Sequence, residues 1–110
     1  MTTKQLTLDF YMDPGHGWVK CKFELLQRLG IEQHISTYSY RRGDNVYLEE
    51  DCDLSLLYKA CDNHGITLKL REHVANKSSK IRSYDCYTNP AQRPATTEFM
   101  AEHFKLLGAL

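Results

Sequence analysis

The sequence predicts an α+β domain: a mixed or mostly antiparallel sheet with helices packed on one face. Three observations predict it. Residues 5–12 alternate, with Leu6, Leu8, Phe10 and Met12 on one side and Thr7, Asp9 and Tyr11 on the other, the period of a half-buried strand. Two segments instead repeat at helical spacing, 23–29 and 54–63, and each ends at a glycine. Between and after them lie runs of β-forming residues, one pair joined by Arg41-Arg42-Gly43-Asp44-Asn45, a hairpin composition. Strands interspersed with helices and joined by a hairpin are the pattern of that class.

Each element follows from its residues. Pro14 fixes φ and disfavours helix at Asp13, so the first strand should stop there. Residues 18–21 read as a short strand. Phe23, Leu26 and Leu29 share one helix face, with Gly30 as the residue after the helix and Ile31 as its apolar contact. Residues 35–40 and 46–49 form the two arms of the predicted hairpin, its tip near Gly43-Asp44. Asp51 or Asp53 is placed to cap the next helix, 54–63, where negative charge suits the N-terminal dipole. That helix buries Leu54, Leu57 and Cys61 and stops near Gly65. Residues 66–70 alternate as a strand, and 81–87 read as a last one. A linker over 88–95 leads to a C-terminal helix over 96–108, capped by Thr96 or Thr97, with Phe99, Met100, His103, Phe104 and Leu107 on its apolar side.

The chain of 110 residues fits one domain. Its formal net charge is zero, so nothing pulls it as a whole toward nucleic acid or anionic lipid. No signal peptide is apparent and no apolar run approaches the ~20 residues of a bilayer span. The expectation is a cytoplasmic protein without membrane contact, a monomer or homodimer. Cys21, Cys52, Cys61 and Cys86 are scattered without a C-x-x-C, which predicts free thiols, no structural metal and no cofactor. Cys52 among acids should have a raised pKa, which argues against a thiolate nucleophile.

The most unusual stretch is Asp13-Pro14-Gly15-His16-Gly17-Trp18, which carries the only tryptophan. Gly15 and Gly17 would allow positive φ on both sides of His16. Asp13 would bond backbone amides in a turn or orient the imidazole. In a functional reading, Asp13 and His16 act as a base or ligand pair beside Trp18 as a stacking platform. In a plain structural reading the loop is a turn and Trp18 fills the core. The run lacks the G-x-x-x-x-G-K-[ST] of a nucleotide loop.

Charge is locally uneven. Between residues 69 and 93 the basic residues Lys69, Arg71, Lys77, Lys80, Arg82 and Arg93 face only Glu72 and Asp85, with Tyr84 and Tyr87 interleaved. Cations mixed with aromatics can follow a phosphate backbone and stack bases. Arg41 and Arg42 at the hairpin tip would extend that surface. The acidic run Glu49, Glu50, Asp51 and Asp53 reads mainly as a helix N-terminus and lacks the calcium-loop pattern. The candidate binding residues are therefore Asp13, His16, Trp18, Arg41, Arg42, Lys80, Arg82 and Tyr84. The loop, if functional, should meet polar groups from Tyr40-Arg41-Arg42 and Arg82-Ser83-Tyr84.

Residues 11–20, 38–44, 47–53 and 81–85 together resemble a family of small proteins, without an assigned function, encoded by bacteriophages, prophages and related mobile elements. The resemblance spans roughly residues 5–87 and leaves out the terminal helix. It implies an accessory protein that binds a host protein or nucleoprotein complex, with anti-defence action of the anti-CRISPR kind as its most concrete form. Two other classes stay open: a nucleic-acid-binding module using the basic 69–93 segment, and a small enzyme using Asp13 and His16 with an arginine to hold an anion.

Overall fold

A computed structural model describes residues 4–88. The elements run β1 (Lys4–Met12), β2 (Gly17–Lys22), α1 (Phe23–Leu29), β3 (Tyr40–Arg42), β4 (Asn45–Glu49), α2 (Leu54–Asn63), β5 (Ile66–Val74), a short 3-10 helix (Lys80–Ser83) and β6 (Asp85–Cys86). They build one six-stranded sheet in the order β5-β1-β2-β4-β3-β6. The sheet is mixed: β1 runs parallel to β5, and the other pairs are antiparallel. The α+β class and the single sheet agree with the expectation. The predicted linker beyond Thr88 and the helix over 96–108 lie outside the described residues.

Register follows from the alternation. Phe10 pairs with Val19 and Val19 with Leu48, while Cys21 pairs with Val46. These side chains point to one face and form the core with Leu26 and Leu29 of α1 and Leu57, Ala60 and Cys61 of α2. Both helices pack there because each carries one apolar stripe. Helix α1 ends as its sequence requires: Gly30 takes φ 74°, its N–H donates to Gln27 and Leu26 carbonyls, and Ile31 N–H reaches the Leu26 carbonyl.

Four expectations need correction. Residues 35–39 are not strand. Side chains engage this segment instead: Ser36 N–H donates to Asp53 and Tyr38 N–H to Ser36 Oγ, while the Ser36 and Ser39 hydroxyls also donate to Asp53. Asp53 precedes α2 but makes no capping bond to that helix, because both its oxygens serve those serines. Residues 81–87 are not one strand. Ser79 accepts from Ile81 N–H and opens a 3-10 turn, after which only Asp85 and Cys86 pair with β3. Gly15 and Gly17 do not take positive φ; among the described residues Gly30, Gly43 and Gly65 do. They are required for close approach: a Cβ would lie 2.9 Å from Arg82 Nη2 at Gly15, and 2.6 Å from Phe10 Cζ at Gly17.

Among the described residues, neither α-helix packs on the second face of the sheet. One rung crosses all six strands as Arg71, Asp9, Lys20, Tyr47, Tyr40 and Cys86, and the next reads His73, Tyr11, Trp18 and Glu49. The segment around the 3-10 helix lies over part of this face. Ile81 is buried there against Trp18 and Tyr47, with Tyr11, Tyr40 and Tyr84 packed around them.

Candidate functional site

The β1–β2 turn is organised by Asp13, whose side chain is fully buried. It accepts from Gly15 N–H at 2.9 Å and His16 N–H at 3.0 Å, as its position in the turn allows. It also accepts from Ser79 N–H at 2.9 Å and, through both oxygens, from Arg82 Nε at 2.7 Å and Nη2 at 2.9 Å. The two-pronged guanidinium grip is the strongest form of such a contact. Arg82 holds the Asp13 carboxyl far below the ordinary carboxylate range, and the Ser79, Gly15 and His16 amides reinforce the effect against burial. An acid so stabilised as a carboxylate is a poor proton acceptor. Asp13 is therefore a tie between the turn and the 79–84 segment rather than a base for His16.

His16 turns away from Asp13's oxygens and toward Glu49. Its Nδ1 donates to Glu49 Oε1 at 3.2 Å, with the imidazole 46% exposed and the carboxylate buried. The other Glu49 oxygen accepts from the N–H groups of Asp51 and Cys52 at 2.8 and 2.9 Å, fixing the turn after β4. Trp18 is almost wholly buried, as the plain structural reading expects. Tyr40 packs edge-on against it, Arg82 lies 5.3 Å above its ring, and His16 tilts toward it at 6.0 Å.

These groups line an open cleft of about 250 Å³ formed by His16, Trp18, Tyr38, Tyr40, Glu49, Asp51, Cys52 and Arg82. Tyr38 is 70% exposed at its rim. Ligand-capable atoms of His16, Glu49 and Asp51 all lie within 4.8 Å of one another. They are a hydrogen-bonded group in which Glu49 already serves two amides. Cys52 has its pKa raised by desolvation first and then by Glu49, which keeps it a thiol.

Of the sequence candidates, the structure gathers His16, Trp18 and Arg82 around the cleft, with Asp13 behind them. It separates the others. Arg41 points to the opposite face and lies 4.0 Å over the Phe23 ring. Arg42 sits 5.0 Å over Tyr84. Lys80 and Tyr84 line a second hollow with Tyr11, Lys20, Tyr47, Ser79 and Ile81. The expected approach of 82–84 to the loop is thus made by Arg82, and that of the hairpin by Tyr40 alone. Sequence reading missed Glu49 and Tyr38. Glu49 was legible as a site residue only through register, since it stands opposite Trp18 on β2.

The four cysteines are free: Cys21 and Cys61 are buried, Cys52 and Cys86 exposed. Burial, with Cys61 nearby, pushes the Cys21 thiol up to about 12. No described helix is long and apolar enough to cross a membrane. Comparison of the chain with protein-family models, with curated proteins and with solved structures finds no match.

Proposed function

We propose that this chain is a non-catalytic accessory binding protein of a phage or mobile element, docking on a host protein or nucleoprotein complex, with anti-defence inhibition as its most concrete form. The setting rests on the sequence resemblance alone. The docking surface rests on one observation: a pre-formed cleft whose rim is an exposed tyrosine and whose floor is a rigid aromatic and charged wall. Tyr38 and Tyr40, backed by the buried Trp18, supply contact area with few rotatable bonds, the kind of side chain enriched where interfaces gain most of their energy. His16, Glu49 and Asp51 add polar partners at the edge. The alternative of a small enzyme through Asp13 and His16 loses support from geometry, because the carboxylate is spent on Arg82 and backbone amides.

The test is capture of host complexes from bacterial lysate by the tagged protein, with and without nuclease, followed by the same capture with Tyr38→Ala and His16→Ala. Both side chains are exposed, so each variant should keep its stability within about 0.5 kcal/mol. Loss of a defined partner from both variants supports docking at the cleft. Retention of that partner by both would place the interface elsewhere.

A further inference from the structure

The face of the sheet opposite α1 and α2 holds a second surface that the cleft does not use. Its centre is a hollow of about 180 Å³ lined by Tyr11, Lys20, Tyr47, Ser79, Lys80 and Tyr84. Beside it, on the same rungs, Tyr11 and His73 stack with ring centroids 4.9 Å apart and 20° between planes. Tyr47 and Tyr84 form a second ring pair at 5.1 Å. Around these rings the register places cations on the same side of the sheet: Lys69 and Arg71 on β5, Lys20 and Lys22 on β2, and Arg42 on β3. Asp9 lies among them, held by Arg71 at 2.7 Å and His73 at 2.9 Å. Glu24 on α1 and Asp62 on α2 lie on the helices of the other face, while Glu49 ends the His73–Tyr11–Trp18 rung at the cleft.

Strands in a sheet are spaced ~4.8 Å apart, so rings on neighbouring strands stand within reach of successive unstacked bases. Lysines beside phenols in an open hollow match a phosphate with its sugar. Duplex would present its phosphates but hide the base faces from Tyr11 and His73. We propose that this face binds single-stranded nucleic acid, one base stacking on the Tyr11–His73 pair and the adjoining phosphates lying along Lys20, Lys80 and Lys22. Cytoplasmic RNA and displaced DNA strands share this chemistry. The surface is distinct from the cleft and stands or falls independently of it.

Fluorescence anisotropy with labelled 12-nucleotide dT and U strands, titrated by the intact protein from 50 to 200 mM salt, tests this. Engaging about three phosphates predicts a log–log salt slope of about −2. Lys22→Glu with Lys80→Glu, both on exposed side chains, should weaken binding about tenfold or more and flatten that slope. Tyr11→Ala should weaken it about 5- to 100-fold. His73→Ala, at a more exposed position, tests the same ledge should Tyr11→Ala unfold the sheet. His16→Ala and Tyr38→Ala at the cleft should leave strand affinity unchanged. Preference for one sugar over the other would identify the source. No binding at 50 mM salt, equal or tighter binding of a duplex of the same length, or affinity indifferent to the charge reversals would overturn the proposal.

Discussion

The two faces of the sheet are made by the same strands and held by different forces. The helix-covered face is apolar burial: Val19, Val46, Leu48, Leu26 and Leu57 have no exposed surface. Among the described residues, the open face has only a small buried cluster, Trp18, Tyr47 and Ile81, and adds pairs: Asp13 to Arg82, Asp9 to Arg71 and His73, and rings in edge or tilted contact. The difference teaches how a small domain keeps one side free for contact. Burial is non-directional and closes a surface. Directional pairs fix side chains in place while leaving some of them, His73, Arg71 and Arg82, partly exposed.

Substitutions can break this comparison or sharpen it. The largest effect should come from the covered face. Phe10→Ala should cost about 3–5 kcal/mol in urea unfolding, since the ring is buried in the core. A loss below about 1 kcal/mol would mean the covered face is not where stability resides. Asp13→Ala should cost less, about 2–4 kcal/mol, because Arg82, at 37% exposed, is partly solvated without it. Gly17→Ala is expected to cost about 1–3 kcal/mol, since its methyl meets Phe10 and the backbone is fixed by pairing with Met12.

Acid separates the faces further. Both Asp9, lowered to about 2 by Arg71 and then His73, and Asp13, lowered further, have folded-state pKa values below the ordinary one. Stability from a depressed carboxylate is present above its unfolded value of about 4 and is lost as pH falls through the folded value. Stability should therefore be level near neutrality and decline below about pH 4. Asp13→Asn should flatten that decline. An unchanged acid profile in this variant would remove Asp13 from the account. The smallest effect is expected for Lys22→Glu, within about 0.5 kcal/mol, because the side chain is exposed at the open face.

What the sequence revealed followed the same division. Strand β1 and helices α1 and α2 were legible because a buried face imposes a period, and the hairpin was legible in its tip and second arm but not in its first, placed at 35–40 where the strand is Tyr40–Arg42. The covered face imposes it strongly: Leu6, Leu8 and Phe10 could be assigned from spacing alone. The shape of 79–87 was not legible, since it is set by Asp13 and Ser79 contacts rather than by any periodic pattern. Gly15 and Gly17 were read for backbone freedom, the commoner use of glycine. Gly15 makes room for Arg82, a residue remote in sequence, and Gly17 for Phe10 across the β1–β2 turn, contacts that only the folded arrangement shows. Asp53 misled for the same reason. A carboxylate before a helix has a local use as a cap, and only the folded loop shows Ser36 and Ser39 taking it instead. At the site, His16, Trp18 and Arg82 were found by their chemistry, while Glu49 was hidden in an acidic run.

The parallel pairing of β1 with β5 has a consequence for the order in which the chain assembles. Hairpins β1–β2 and β3–β4 close over short loops and can form in about 1–10 μs. The first strand then waits. Its outer partner arrives only after α2, as the 62-residue separation of Asp9 and Arg71 shows, and the Asp13–Arg82 tie spans 69 residues. Until that late stretch emerges, β1 presents an unpaired edge and Asp13 a carboxylate without its arginine. Contacts of such long range slow folding because loop closure precedes their reward. On a ribosome, the nascent chain would stay incomplete until residue 82 clears the exit tunnel, exposing a ready-made strand edge to any neighbouring chain in the interval.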